Sequence, residues 1–348
     1  MSTKKILVLL GTLILAAAIL SACGSAQPGP AGPAGPAGPA GPAGPAGPAG
    51  APAAAAPVTA KDLSCTTCHN NTDLISGKEV AWAASVHGSG PAAAYAGSNP
   101  ACTGCHSSAG FNAAIAAGVP NSSPQKTADA NPGRIDCRAC HNIHTTYTAD
   151  DWKLKTVAPV QLIAVKGTTF DGGMGNLCAS CHQQRTAFPA ATDGKVKVDS
   201  THWGGHHGPE AAMILGVGGA GGVQGKPAAH ATAVKDTCVT CHLGGAGTNA
   251  NHTFVPVVAT CVTCHADAKS LDVNGVQTEI QGKLDQVKKA LQAKKLLDDK
   301  GVIVVGEYPE AQAAALWNFL LVTEDKSLGV HNADYSNALL DAALAALK

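Results

Sequence analysis

The chain has few aromatic and few charged side chains, and it carries no net charge. Of its 348 residues, 4% are aromatic and 14% are charged, and the formal charge at pH 7 is zero. So few Phe, Trp and Tyr side chains argue against one large apolar core. The charge balance argues against a nucleic-acid-binding protein, since such proteins usually have a basic face. The 40 glycines and 21 prolines disfavour long regular elements in the middle of the chain. The 13 cysteines and 14 histidines are the unusual numbers, and they indicate chemistry on sulfur and imidazole.

The N-terminal apolar run is too short to span a membrane. It covers 15 residues, 6–20, after Lys4 and Lys5, whereas a transmembrane helix needs about 20, so the pattern is typical of an export signal. The run ends in Leu20-Ser21-Ala22-Cys23, which resembles the lipobox of bacterial lipoproteins. The resemblance implies a signal peptide over residues 1–22 and lipid on Cys23, with Gly24 permitting transfer to the outer membrane if the source has one. The alternative is an ordinary secretory signal followed by a spare cysteine.

A regular repeat follows the signal. Gly-Pro-Ala occurs seven times in succession between Gly29 and Ala49. This period is that of collagen, whose triple helix needs glycine at every third position. The alternative is a single extended polyproline II spacer, about 3.1 Å long per residue. We therefore predict a lipid anchor and a collagen-like linker over residues 23–57, with no catalytic residue in it.

Six copies of Cys-x-x-Cys-His contain all of the remaining twelve cysteines. The cysteine pairs are Cys65 and Cys68, Cys102 and Cys105, Cys137 and Cys140, Cys178 and Cys181, Cys238 and Cys241, and Cys261 and Cys264, and the histidines are His69, His106, His141, His182, His242 and His265. This motif is the attachment signature of c-type haem. The thiols form thioethers to the porphyrin, and the histidine is placed to bind the iron from one face. Zinc and thiol redox sites also use Cys-x-x-Cys, but neither requires histidine directly after the second cysteine. The sequence therefore predicts six covalent haems, and export agrees because such haem is attached outside the cytoplasm.

The six motifs occupy little chain. From Cys65 to His265 there are 201 residues, about 33 per haem, which is too few to enclose each porphyrin separately. We expect the haems to pack against one another and to replace the missing aromatic core. The predicted fold class is mainly α with much irregular coil. A six-haem cytochrome domain is predicted over residues 58–270, with a C-terminal helical bundle over residues 271–348 packing on it.

Eight histidines outside the motifs are candidates for the opposite face of the irons. They are His87, His144, His202, His206, His207, His230, His252 and His331. Six are needed if every iron has two histidine ligands, and we favour His87, His144, His206, His230, His252 and His331. His202, His206 and His207 lie close together in the sequence, and we expect only one of them to be a ligand. Methionine is the alternative ligand, but beyond the signal peptide only Met174 and Met213 are available.

The composition changes after residue 270. Apolar residues recur at helical spacing from Ile280 to Leu291, which predicts an amphipathic helix over residues 276–298. Residues 301–306 are predicted to form a short strand or an extended link. A second helix is predicted from Pro309 to Thr323, with the proline near its first turn. A third is predicted to run to Leu347 after a cap at Asn332 or Asp334. His331 precedes this helix and is the histidine of this segment that we expect to reach a haem.

The C-terminal segment resembles a known family. The run from Leu316 to Tyr335, which includes Gly329-Val330-His331-Asn332, is similar to the C-terminal helices of multihaem cytochromes related to cytochrome c nitrite reductase. In that superfamily the histidine of Gly-(Val/Ile)-His-Asn is a distal haem ligand, which implies the same role for His331. The segments His206-His207-Gly208-Pro209-Glu210 and His252-Thr253-Phe254 also resemble multihaem cytochromes of metal-respiring and related bacteria.

The chain departs from the nitrite reductases at the catalytic haem. Those enzymes carry Cys-x-x-Cys-Lys with an open iron, whereas all six motifs here end in histidine. The tyrosine crosslink pattern of the hydroxylamine-oxidising relatives is not found either. We therefore predict no catalytic residue. The expected function is an electron conduit, lipid-anchored at the cell surface, that exchanges electrons with redox partner proteins or an extracellular acceptor.

Two alternatives stay open at this stage. One is a haem-based reductase of nitrite, hydroxylamine, tetrathionate or a related small oxyanion, which needs one iron with an open position; residues 202–207 are where we expect it. The other is a subunit of a cytochrome filament, in which a neighbouring chain supplies a distal histidine. The sequence predicts neither an oligomeric state nor the direction of electron flow.

Overall fold

Short helices joined by irregular coil make up most of the fold, so the predicted fold class, mainly α with much coil, is confirmed. The computed structural model describes residues 73–125, 133–244 and 250–348, with side chains from residue 75 onward. The helices are α1 (Asp73–Ala84), α2 (Val86–Ser89), α3 (Ala92–Ala96), α4 (Thr103–His106), α5 (Ser108–Ala117), α6 (Cys137–Cys140), α7 (Asn176–Ala179), α8 (Glu210–Leu215), α9 (Ala229–Ala233), α10 (Cys238–His242), α11 (Val258–Cys261), α12 (Val276–Ala293), α13 (Glu310–Asp325) and α14 (Ala333–Ala346). The 3-10 turns are Ala149–Trp152, Gly173–Gly175 and Val273–Gly275. Over the described ranges, no helix combines the length and the apolarity of a membrane span.

Three long helices form the C-terminal part of the chain. α12 buries Ile280, Leu284, Val287 and Leu291 on one face, as its periodicity predicts. It ends at Ala293 rather than at residue 298, because Lys295 has a φ of 60° and turns the chain away from the helix axis. α13 begins directly after Pro309 and runs two residues further than predicted, to Asp325. Of the two predicted caps for α14, the structure uses Asn332, whose side chain accepts a hydrogen bond from the Tyr335 N–H at 3.1 Å.

Two small antiparallel sheets complete the fold. β1 (Val160–Gln161) pairs with β2 (Thr169–Phe170), and β3 (Lys195–Val198) pairs with β4 (Gly306–Pro309). In the second sheet Val196 lies opposite Tyr308, and the alternation of β3 buries both of its valines. The predicted link at 301–306 therefore leads into a strand that starts at Gly306 and pairs with a segment more than 100 residues earlier.

The apolar core is unevenly distributed along the chain. The largest cluster of buried apolar residues draws every member from residue 196 onward, and most of them belong to α12, α13 and α14. Two of the four tryptophans, Trp203 and Trp317, meet there with ring centroids 5.2 Å apart. A small cluster around Phe111, Ala139 and Leu177 and another around Leu162 and Phe170 hold the earlier segments. Protein side chains thus supply little core to residues 75–195.

A glycine-rich loop attaches the middle of the chain to the C-terminal helices. Trp317 donates its indole N–H to the Gly218 carbonyl at 3.0 Å, and the Gly219 N–H donates to the Tyr335 hydroxyl at 2.7 Å. A Cβ at position 219 would lie 2.4 Å from Leu339 Cδ2, so only glycine allows this approach. The loop fixes the segment that carries the histidines between residues 202 and 230.

Candidate haem-binding sites

Each described Cys-x-x-Cys-His motif forms about one helical turn. The amide of the motif histidine donates to the carbonyl of the first cysteine at 3.1 Å in His106, 2.9 Å in His141 and His182, and 2.8 Å in His265; His242 closes α10 in the same way. One turn of helix takes about 3.6 residues, so the two cysteines and the histidine project from one side of the turn. None of the ten described cysteines forms a disulfide. The local fold therefore presents two thiols and one imidazole together.

We number the sites 1 to 6 in the order of the motifs. Site 1, with Cys65, Cys68 and His69, lies outside the described residues, as do Cys23 and the repeat at 29–49. The other five sites each have a second histidine whose ring faces that of the motif histidine. The facing pairs and the distances between their ring centroids are His106 and His206 (site 2, 6.1 Å), His141 and His252 (site 3, 6.3 Å), His182 and His87 (site 4, 6.0 Å), His242 and His331 (site 5, 6.2 Å), and His265 and His230 (site 6, 6.3 Å).

The spacing of these rings fits one metal ion between them. Metal–imidazole bonds are about 2.0–2.1 Å long and the bonded nitrogen lies about 1.2 Å from the ring centre, so two imidazoles on opposite sides of one ion have centroids about 6.4 Å apart. The five observed distances, 6.0–6.3 Å, are close to this value. Among the described residues, no group of three or more His, Cys, Asp or Glu side chains is arranged to hold a metal ion. Each facing pair places two imidazoles beside the two thiols of its motif, and these residues fit a covalently attached haem that would be held by two histidines.

Burial keeps several of these imidazoles neutral. It lowers the pKa of His87 to about 4 and that of His206 to about 4, and it also lowers the pKa of His106, His141 and His252. Desolvation disfavours the charged ring. The neutral ring is the form that binds a metal.

The second ring nitrogen, Nδ1, is held by the backbone in four of the histidines. The acceptors are the carbonyls of Trp152 for His141 (2.7 Å), Phe254 for His242 (2.9 Å), Ala250 for His252 (3.1 Å) and Val330 for His230 (2.8 Å). A proton on Nδ1 leaves Nε2 as the metal-binding atom and fixes the plane of the ring. Sequence reasoning did not identify these acceptors, because any backbone carbonyl can serve.

Two other histidines have carboxylates in place of carbonyls. His331 Nδ1 lies 2.7 Å from Asp325 Oδ1, and His182 Nδ1 lies 3.3 Å from Glu210 Oε2. Burial acts to lower the pKa of His331, but Asp325 outweighs it and the pKa rises to about 9. The pKa of His182 is likewise raised against the effect of burial by Glu210. These carboxylates stabilise positive charge on the imidazole ring. A metal ion bound at Nε2 would also bring positive charge to the ring, so the carboxylates would stabilise the bound metal ion as well.

Of the three histidines at 202–207, one belongs to a facing pair and two do not. His206 faces His106, whereas His207 Nδ1 lies 2.5 Å from Glu324 Oε2. His202 is exposed, and its Nδ1 is 3.4 Å from the hydroxyl of Thr201. The pairing thus involves one histidine of the three, the one favoured from the sequence.

His144 and the two methionines occupy other positions. The His144 ring stacks on the Tyr147 ring with centroids 5.6 Å apart, and the His144 backbone N–H donates to Asp151 Oδ2 at 2.7 Å. Met213 is fully buried in the C-terminal core. All five described pairs consist of two imidazoles, so neither Met213 nor Met174 belongs to one.

Thiols from different motifs lie next to one another. The thiols of Cys105 (site 2) and Cys181 (site 4) are close enough to shift each other's pKa, which is lowered for Cys105 and raised for Cys181. The thiols of Cys178, the other cysteine of site 4, and Cys238 of site 5 are likewise close enough to shift each other's pKa, which is raised for Cys178 and lowered for Cys238. Asn121 donates to Cys181 Sγ at 3.3 Å and so holds the first of these junctions. Sites 2, 4 and 5 are therefore direct neighbours, with site 4 in the middle.

Comparisons with known proteins bear on the fold of the chain. A family model described as cytochrome c3 matches residues 57–151, little more than a quarter of the chain. The fold is similar to that of the outer cell wall cytochrome OcwA, with a TM-score of 0.53 and 24% identity over 78% of this chain and 50% of that chain. An undecahaem cytochrome from the S-layer of Carboxydothermus ferrireducens aligns with a TM-score of 0.44 and 18% identity over 72% of this chain and 38% of that chain. No curated protein matches. The chain spans half the length of OcwA and has the fold of a multihaem c-type cytochrome; the resemblance to the nitrite reductase superfamily stays a prediction.

Proposed function

We propose that the protein is an electron-transfer cytochrome whose six covalent haems are each held by two histidines. The observation that carries this proposal is the set of five facing imidazole pairs at 6.0–6.3 Å. Bound haem supplies an iron that gains and loses one electron, and histidine ligation on both faces favours that role over substrate binding. The chain's own part is to fix the imidazoles and to set the order of neighbouring sites.

For site 1 we propose His69 and His144 as the two ligands. The five described pairs use five of the six favoured distal histidines, and His144 is the sixth. It lies three residues after His141 of site 3, and its backbone N–H donates to Asp151 Oδ2 at 2.7 Å. This ligation would join site 1 directly to site 3.

The contacts between thiols support a relay. Thioether bonds would fix the porphyrin edges at the cysteines, so the neighbouring cysteines at sites 2 and 4 and at sites 4 and 5 would bring those edges close together. Phe254 adds a link, because its ring lies 4.7 Å from that of His87 (site 4) and 6.1 Å from that of His252 (site 3). Electrons would then pass through sites 3, 4 and 5, with site 2 as a branch at site 4.

Electron paramagnetic resonance of the oxidised protein, with the haems counted by mass spectrometry, tests this function. We expect six haems and only low-spin ferric signals, because every iron has two imidazole ligands. A high-spin signal that shifts on addition of nitrite or hydroxylamine would instead support the alternative, a reductase with an open iron. A mass corresponding to fewer than six haems would contradict the haem count.

We also propose that Cys23 carries lipid and that the repeat from Gly29 to Ala49 holds the haem domain away from the membrane, at the cell surface. Support comes from the export signal and from the similarity of residues 20–23 to a lipobox. Replacing Cys23 by serine should release the protein from the membrane fraction into the soluble extracytoplasmic fraction, with its haem content unchanged. The Ser25→Ala protein is the matched control and should stay with the membrane. A Cys23→Ser protein that still sediments with membranes would contradict the anchor.

A further inference from the structure

The five described sites differ in what holds the ligand imidazoles. Backbone carbonyls hold Nδ1 of His141, His252, His242 and His230, whereas carboxylates face Nδ1 of His182 at site 4 and His331 at site 5. A carbonyl is a neutral acceptor, but a carboxylate is charged and draws the Nδ1 proton more strongly. The imidazole then donates more electron density to the metal through Nε2. Of the five described sites, sites 4 and 5 are therefore the two in which a carboxylate faces a ligand imidazole.

The carboxylate at site 5 is deeply buried. The Asp325 side chain is 1% exposed at the C-terminal end of α13. Asp325 accepts from the ring Nδ1 of His331 and from the Ser327 hydroxyl. The Ser327 hydroxyl in turn accepts from the backbone N–H of His331 at 3.2 Å. A buried charge with fixed partners interacts strongly with a nearby iron, because little water screens it. All three of these residues belong to the turn between α13 and α14 or to its immediate ends.

The carboxylate at site 4 begins α8. Glu210 Oε2 is buried without a well-aligned hydrogen bond, and His182 Nδ1 at 3.3 Å is its ion-pair partner. Gly208, with a φ of 82°, allows the approach, since a Cβ there would lie 3.1 Å from Oε2. A buried carboxylate oxygen of this kind is stabilised by positive charge on the imidazole and its metal.

Site 2 has a guanidinium beside it, which sites 4 and 5 lack among the charges that act on their imidazoles. The guanidinium of Arg185 donates to the Ala101 carbonyl at 2.8 Å, and its Nη1 lies 3.9 Å from Cys102 Sγ. Its charge also acts on both imidazoles of the site, His106 and His206. A fixed cation stabilises the reduced iron, which carries one positive charge fewer, whereas a fixed carboxylate stabilises the oxidised iron.

We propose that Glu210 and Asp325 are positioning residues that make the haems of sites 4 and 5 the low-potential pair of the chain, and that Arg185 makes the neighbouring haem of site 2 a higher-potential acceptor. This inference rests on the proposed haem ligation. The cysteine contacts place the three sites side by side, so an electron entering at site 4 or 5 moves downhill to site 2. Electrons would then leave sites 4 and 5 through site 2.

The test is a redox titration of the six-haem protein, followed by absorbance and by electron paramagnetic resonance. Glu210→Gln and Asp325→Asn should each make one haem about tenfold easier to reduce, which is 59 mV for a one-electron couple. Arg185→Gln should shift one haem in the opposite direction. Glu210→Asp and Asp325→Glu retain the charge and should restore the potential at least in part, which a merely structural role would not produce.

Glu324→Gln is the matched control. Glu324 neighbours Asp325 in α13 and faces His207, which belongs to no facing pair, so its removal should leave the potentials of sites 4 and 5 unchanged. The inference is overturned if Glu210→Gln and Asp325→Asn keep six low-spin haems and shift no potential beyond this control. A wild-type protein with a high-spin haem or fewer than six haems would overturn the proposed function instead, so the two failures are distinct.

Discussion

Replacing His87 by alanine is expected to convert one of the six haems from low spin to high spin. His87 faces His182 at 6.0 Å, and no carboxylate is paired with it, so its removal takes away one ligand without leaving a buried charge unpaired. The exposed iron position at site 4 should then bind carbon monoxide in the reduced protein and nitrite in the oxidised protein. About one sixth of the low-spin signal should be lost, and added imidazole should restore it by occupying the space of the missing ring.

His202→Ala is the matched control for this experiment. His202 lies in the histidine cluster but is exposed and belongs to none of the five facing pairs. This substitution should leave all six haems low-spin and unreactive toward carbon monoxide. The proposed ligation would be wrong at site 4 if His87→Ala kept the full low-spin signal, and the choice of His206 would be wrong if His202→Ala lost part of it.

Preventing haem attachment is expected to unfold the first half of the described chain while the C-terminal helices stay folded. Every member of the largest apolar cluster comes from residue 196 onward, and burial of about 25 cal/mol per Å² of apolar surface is the main favourable term in folding. The segment from residue 75 to residue 195 has only small clusters. We propose that the haems supply its missing core.

Limited proteolysis of the chain produced without haem attachment measures this difference. The expected result is a protected fragment that contains α12 to α14, with rapid cleavage before residue 196. The holoprotein under the same conditions serves as the control and should resist cleavage in both halves. Equal resistance of both halves in the haem-free chain would show that protein side chains alone suffice.

The sequence predicted most reliably the structural features that depend on residues close to one another in the chain. The motif turns follow from a five-residue pattern, and the apolar face of α12 follows from its period. β3 was missed, although Lys-Val-Lys-Val alternates, because its partner is β4, more than 100 residues away. The early end of α12 depends on a positive φ at Lys295, for which the lysine itself gives no signal.

The sequence predicted which histidines are candidates for the second ligand, but not which motif histidine each of them faces. Composition showed that enough histidines were present, but which distal ring meets which motif depends on the whole fold. Glu210 and Asp325 were not identified for the same reason. Glu210 is 28 residues from His182 and meets it only because the turn at Gly208 folds back. His331 and Asp325 are near in sequence, yet their contact needs the particular turn between α13 and α14.

The facing pairs also have a consequence for how the chain reaches its native state. In four of the five pairs the partners are 89 to 111 residues apart. A haem attached to its motif early in biogenesis must therefore find its second ligand across a long loop, and contacts of such separation slow folding. Histidines that have not yet found their own iron compete for it in the meantime. The iron–histidine bonds then resemble disulfides in an oxidising cell: once matched they tie distant segments into one network, and a mismatched bond has to break before folding can continue.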